Sequence, residues 1–108
     1  MLTHWRSEAA ALGMLLALSG PGTAVAQQGM DLFAAKGCPA CHGPDGKKSL
    51  LPTYPKLAGQ NAAYLVLAMK AYRAQDRKGE QATVMWGMAG QLKDDEMEKV
   101  ADALSKVK

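Results

Sequence analysis

The segment Cys38-Pro39-Ala40-Cys41-His42 constrains this chain more than any other. These are its only two cysteines, three positions apart and directly followed by one of its two histidines. A disulfide staple stabilises by joining distant parts of a chain, so a Cys38–Cys41 bridge closing so short a loop would do little. A structural zinc site needs four ligands, and Cys38, Cys41, His42 and the remote His4 are the only Cys and His side chains available. A thioredoxin-like C-x-x-C follows a strand in a βαβ pattern, and no stretch here alternates apolar and polar residues with β-branched enrichment. The reading that accommodates all five residues is C-x-x-C-H as a haem attachment site. Two thiols on one turn can reach both vinyl groups of a porphyrin edge, and the thioethers then carry His42 under the iron as proximal ligand.

The rest of the chain has the shape that such a group requires. Ala9–Leu18 is an uninterrupted apolar stretch, Ser19 to Gly22 break it, and Ala24-Val25-Ala26 closes with small residues. This pattern predicts a cleaved secretory signal peptide over residues 1–26 and a single domain over 27–108. Ten apolar residues are too few to cross a hydrocarbon core, which takes about 20. Arg6 and Glu8 leave together, so the net charge stays at +3. No basic run exceeds Lys47-Lys48, which speaks against nucleic acid as a partner. A domain this short is marginal on its own core and needs a staple, metal or cofactor.

Three helices are expected. The first covers Gly29–Lys36, with Met30 and Phe33 on one face and Gly37 as its stop. Asn61 caps a second that runs to about Arg77, with Tyr64, Leu65, Ala68, Met69 and Tyr72 in one apolar stripe. The third runs from about Asp94 to Val107, with Met97, Val100, Ala101, Leu104 and Val107 on one face and an acidic first turn that suits the helix dipole. Residues 37–60, with four prolines and four glycines, and 79–92, with Gly79, Gly87 and Gly90, read as helix-poor segments. Loops of this length in a small domain are usually wrapped around something.

A haem iron held by one histidine has a second face, where a methionine thioether makes a six-coordinate electron carrier. Met69 and Met97 belong to the helical stripes, and Met30 is too close to the proximal side. Met85 and Met88 remain, in the flexible segment before the last helix.

The chain resembles the class I cytochromes c over about residues 29–106. Gly29-x-x-x-Phe33 resembles the N-terminal helix that crosses the C-terminal one. Tyr54-Pro55-Lys56-Leu57-Ala58-Gly59-Gln60 with Tyr64-Leu65 is similar to the bacterial c-553-like domains and the modules of diheme cytochrome c-four. Met85-x-x-Met88-x-x-x-Leu92-x-Asp94-Asp95-Glu96 resembles the family's ligand loop. The resemblance implies an all-α fold around one covalent haem c, with Cys38 and Cys41 as thioether donors and His42 as proximal ligand. It also implies that the Pro55 carbonyl orients that histidine and that Met85 is the distal ligand, with Met88 packed nearby as the alternative. Two departures stand out. Lys93 occupies the capping position where the family has Ser or Thr, and Leu104 or a neighbour lies where an aromatic packs against the first helix, so the haem-free protein should be less stable.

The function implied is a periplasmic electron carrier between protein donors and acceptors, not an enzyme, and a monomer or weak dimer with no membrane span. The alternatives are a haem-bearing subunit of a larger dehydrogenase or oxidase and, more remotely, a thiol-disulfide oxidoreductase. A peroxidase would need acid–base groups on the distal side, and His42 is already engaged. Trp86 is expected to pack near the haem. Lys36, Lys47, Lys48, Lys56 and Lys93 come from segments near the haem edge, as solubilising charge or as a docking ring.

Overall fold

The computed structural model describes residues 21–79 and 81–108. Among them are five helices and no strand: α1 (Pro21–Ala35), α2 (Pro39–His42), α3 (Ala62–Arg73), α4 (Ala82–Gly90) and α5 (Asp94–Ser105). Most of the expected signal peptide lies outside the described residues, and its last residues, Pro21–Ala26, form the first turns of α1.

α1 and α5 cross at Gly29. A Cβ there would run into the carbonyl of Lys99 and the side chain of Ala103, so only glycine allows this close approach. Phe33, one turn later, is 1% exposed and packs with Val100, Ala101 and Leu104 of α5 and Leu65 of α3. Aliphatic side chains thus cover the ring, with no aromatic partner in this cluster. A second cluster of Ala89, Leu92 and Met97 joins α4 to α5, and Met69 of α3 packs against both clusters.

Asn61 caps α3 as expected, its side chain accepting the Tyr64 N–H at 3.1 Å. The helix ends at Arg73, four residues before the expected Arg77. Gln75 adopts a left-handed conformation (φ 62°), and the N–H groups of Gln75 and Asp76 turn back to the carbonyls of Tyr72 and Ala71 at 3.0 and 2.9 Å. This is a Schellman closure with glutamine in the position that glycine usually fills.

The segment expected to be helix-poor before α5 contains α4. Gly87 and Gly90 lowered its helical signal by about 1 kcal/mol each. Both face open space, and packing on α3 supplies what propensity lacks. Met85 and Met88 therefore ride on a helix rather than a flexible loop.

At the start of α5 the Lys93 side chain has no acceptor and caps nothing. The reciprocal half of the capping box persists, with the Glu96 carboxylate accepting the Lys93 N–H at 3.0 Å. Asp94 pairs with Arg73 at 2.6 Å, and the same guanidinium donates to the Leu92 carbonyl at 3.2 Å. The α4–α5 junction is thereby fastened to the end of α3.

Candidate functional site

The cysteine segment is set by two reversals. Gly37 (φ 81°) ends α1, and the Cys38 N–H returns to the Phe33 carbonyl at 3.1 Å. Pro39 then starts the single turn of α2, for which a fixed φ is already suited. Gly43 (φ 84°) ends that turn so close to the Lys48 carbonyl that no Cβ fits.

Cys38, Cys41 and His42 line one cavity of about 580 Å³. Its other walls are the stripe that the sequence marks on α3 (Tyr64, Leu65, Ala68, Met69 and Tyr72) and Ala82, Met85, Met88 and Ala89 of α4. Phe33, Val100 and Leu104 line it from the helix crossing. The α3 stripe faces this space. Apolar walls with a few convergent donors are the usual form of a cofactor pocket.

His42 is 6% exposed, and its Nδ1 stands 3.4 Å from the Pro55 carbonyl oxygen. A carbonyl can only accept, so Nδ1 carries the proton and the Nε2 lone pair is free. Burial pushes the His42 pKa below its ordinary value, and the Pro55 contact opposes the shift in part. The ring is therefore neutral at neutral pH, the form that binds a metal. Ser49 Oγ lies 2.8 Å from the Leu51 carbonyl and 3.1 Å from that of Tyr54, which steadies the turn presenting Pro55. The Tyr54 ring lies 6.2 Å from that of His42, tilted by 48°.

Burial, as the main cause, raises the Cys38 pKa. An activated thiolate needs the reverse, so the environment does not suit thiol-disulfide exchange. Among the described residues no three His, Cys, Asp or Glu side chains gather to hold a metal ion by themselves. The donor set fits a flat apolar macrocycle instead: paired thiols on one turn, a neutral imidazole and thioether side chains.

The two candidate methionines differ in surroundings. The terminal methyl of Met88 reaches toward Gly37, where a Cβ would stand 3.5 Å from it, and its sulfur lies 3.6 Å from the Gln91 amide nitrogen. Met85 lines the cavity one turn earlier. The Trp86 indole N–H donates at 2.8 Å to the carbonyl of Arg77, itself a residue of the cavity wall. Of the singled-out lysines, Lys36 pairs with Glu96 at 3.7 Å and Lys47 with Asp45 at 3.9 Å. Arg77 and Lys78 line the cavity, and the sequence reading passed over both. Their only signal is a basic pair after a helix, and only the early end of α3 places it at the pocket.

The sequence pattern of the cytochrome c family matches residues 26–108. The chain is 48% identical over 64 residues to cytochrome c-554(548) of Halomonas halodenitrificans, spanning 59% of this chain and 76% of that one. It is 36% identical over 98 residues to a thiosulfate dehydrogenase electron acceptor of Stutzerimonas stutzeri, spanning 91% of this chain and 45% of that one. Its fold is similar to the crystal structure of reduced recombinant cytochrome c4 from Pseudomonas stutzeri, with a TM-score of 0.67 and 31% identity over 79% of this chain and 49% of that one. The chain thus spans about half the length of these last two proteins. An apolar cavity edged by a C-x-x-C-H turn, inside an all-α frame shared with such proteins, has one reading: the chain belongs to the cytochrome c family and is an electron carrier with covalently bound haem c.

Proposed function

We propose that the chain is a periplasmic monohaem carrier that moves single electrons between protein partners, with iron held by His42 and Met85. The carrying observation is that Cys38, Cys41, His42 and Met85 all line one apolar cavity. Bound haem supplies a one-electron iron couple, whose potential is tuned by axial ligands and burial. The protein's own groups do the rest. Cys38 and Cys41 hold the macrocycle edge, and His42 presents Nε2 while the Pro55 carbonyl fixes its tautomer and ring direction. Met88 packs toward Gly37 with its sulfur near an amide, which favours Met85 as the thioether donor. Arg77 and Lys78 suit the carboxylate side of the group.

The family match begins at residue 26, which supports a leader ending at Ala26 and export to the periplasm. N-terminal sequencing of the periplasmic protein should begin at Gln27. A start upstream of that residue removes the cleavage reading.

Visible spectra of the purified, reduced protein with and without carbon monoxide test the ligation. Sharp low-spin bands indifferent to the gas are expected, and bands that shift on its addition would show an open or labile iron face. A second reading has its own observation: one relative is named as the electron acceptor of a dehydrogenase. In that case this chain works bound to a dehydrogenase and should co-purify with it at physiological salt, whereas a free carrier elutes alone.

A further inference from the structure

We propose that Trp86 is a positioning residue for the sulfur ligand: its indole N–H, bonded to the Arg77 carbonyl, fixes the rotation of α4 and thereby keeps Met85 aimed into the cavity. The inference rests on the reading of Met85 as distal ligand.

α4 has little of its own to set that rotation. It has no side-chain cap at its N-terminus, two glycines within nine residues, and apolar side chains on every side rather than in one stripe. A helix of this kind takes its orientation from its tethers. At its far end the junction with α5 is fixed by Arg73 on the Leu92 carbonyl at 3.2 Å. At its near end Thr53 Oγ1 bonds the Gln81 side chain at 3.1 Å, an exposed contact open to competition from water. Trp86 adds the tether beside the ligand. Met85 and Trp86 are adjacent on the helix, so they point about 100° apart, one into the cavity and the other toward the loop after α3.

The acceptor is itself held in place. The Arg77 N–H turns back to the Ala71 carbonyl at 3.4 Å, and the Arg77 guanidinium lies 4.8 Å from the centre of the Tyr72 ring. Tyr72 packs against the Ala89–Leu92–Met97 cluster. Tyr72, Arg77 and Trp86 thus link the end of α3 to the middle of α4. An indole has one donor and no acceptor, so losing its proton leaves packing but no bond.

The test uses intact haem-loaded protein and the variant Trp86→Phe, which keeps an aromatic ring and removes the N–H. Carbon monoxide reaches the iron of the reduced protein only when the sulfur has left. The gas concentration for half-saturation should fall about tenfold in the variant, as expected for one lost hydrogen bond. The far-red sulfur-to-iron band of the oxidised protein should weaken in parallel. A half-saturation unchanged within about twofold, even with a lower melting temperature, would reduce Trp86 to packing and overturn the proposal. A measurement on the unmodified protein guards against a variant that fails to fold: the Trp86 indole proton of the reduced form should exchange slowly with solvent, and free exchange overturns the proposal. Met85→Ala distinguishes the two kinds of failure. If it keeps the far-red band, the ligand reading itself falls; if it loses the band while Trp86→Phe behaves as wild type, only the positioning role falls.

Discussion

The α1–α5 crossing and the α3–α4 wall are both apolar and helical, yet they are stabilised in different ways. At the crossing, Gly29, Phe33, Ala101 and Leu104 fit backbone to backbone and ring to methyl, and Phe33 and Leu104 also turn an edge to the cavity. The α3 stripe and the inward side of α4 lie beside each other and both line the cavity of about 580 Å³. One region is a protein core. The other is half of a core whose remaining half is the haem. Similar apolar patterns can therefore mark either, and what separates them is whether a complementary protein face exists.

The largest expected effect breaks this comparison directly. Replacing both Cys38 and Cys41 with Ser removes covalent attachment and exposes the α3 and α4 cavity walls. Amide hydrogen exchange should then accelerate first and most in α3 and α4, with residual protection confined to α1 and α5. Equal loss of protection in all four helices would mean that the crossing is no more self-sufficient than the wall.

Next come changes within the crossing, in haem-loaded protein. Phe33→Ala should cost about 3–5 kcal/mol, the usual range for a buried ring. Gly29→Ala should cost about 1–3 kcal/mol, because the added methyl pushes α1 off the Lys99 carbonyl. Chemical denaturation measures both. If Gly29→Ala proves neutral, α1 can shift along α5 without penalty, and the two helices are not packed at the closeness described.

How much of this could be read from the sequence follows the same division. The cysteine segment, the Asn61 cap, the face of α5 and the Gly37 stop are local features, so pattern and capping chemistry locate them. α4 was missed because two glycines and an all-round apolar surface leave no periodic signal, and its helicity is imposed by α3 and the flanking tethers. The end of α3 was misplaced because Gln75 takes a conformation in which glycine is the usual marker. Met85 and Met88 are singled out by residue type, in a segment that reads as a loop and is a helix. The bond from Trp86 to a carbonyl nine residues earlier has no local signal, because it depends on where α3 ends.

Gln75 allows a smaller test of how the two regions meet. A non-glycine residue held in the left-handed region costs of order 1 kcal/mol, partly balanced by the greater freedom of glycine in the unfolded chain. Gln75→Gly should therefore raise stability by up to about 1 kcal/mol and leave the visible spectrum unchanged. A loss of stability would show that the glutamine side chain contributes more than its backbone costs.

The smallest effect concerns Asp94, on the tether between α3 and the α4–α5 junction. A hydrogen bond from Arg73, then the charges of Arg73 and Lys70, hold its carboxyl below the ordinary carboxylate range. A carboxyl whose pKa is lower in the folded state stabilises that state when ionised. The contribution is complete above the unfolded pKa of about 3.9 and is lost as pH falls through the lower folded value. The Asp94 side chain is 62% exposed, so water and salt screen the pair and the effect is slight. Asp94→Asn should melt slightly below wild type at about pH 7, and the gap should close as pH falls through the lowered folded value. Added salt should narrow it as well. A gap that persists in acid would assign the effect to the geometry of the Arg73 bridge rather than to the Asp94 charge, and the junction would then be held by the bond from Arg73 to the Leu92 carbonyl.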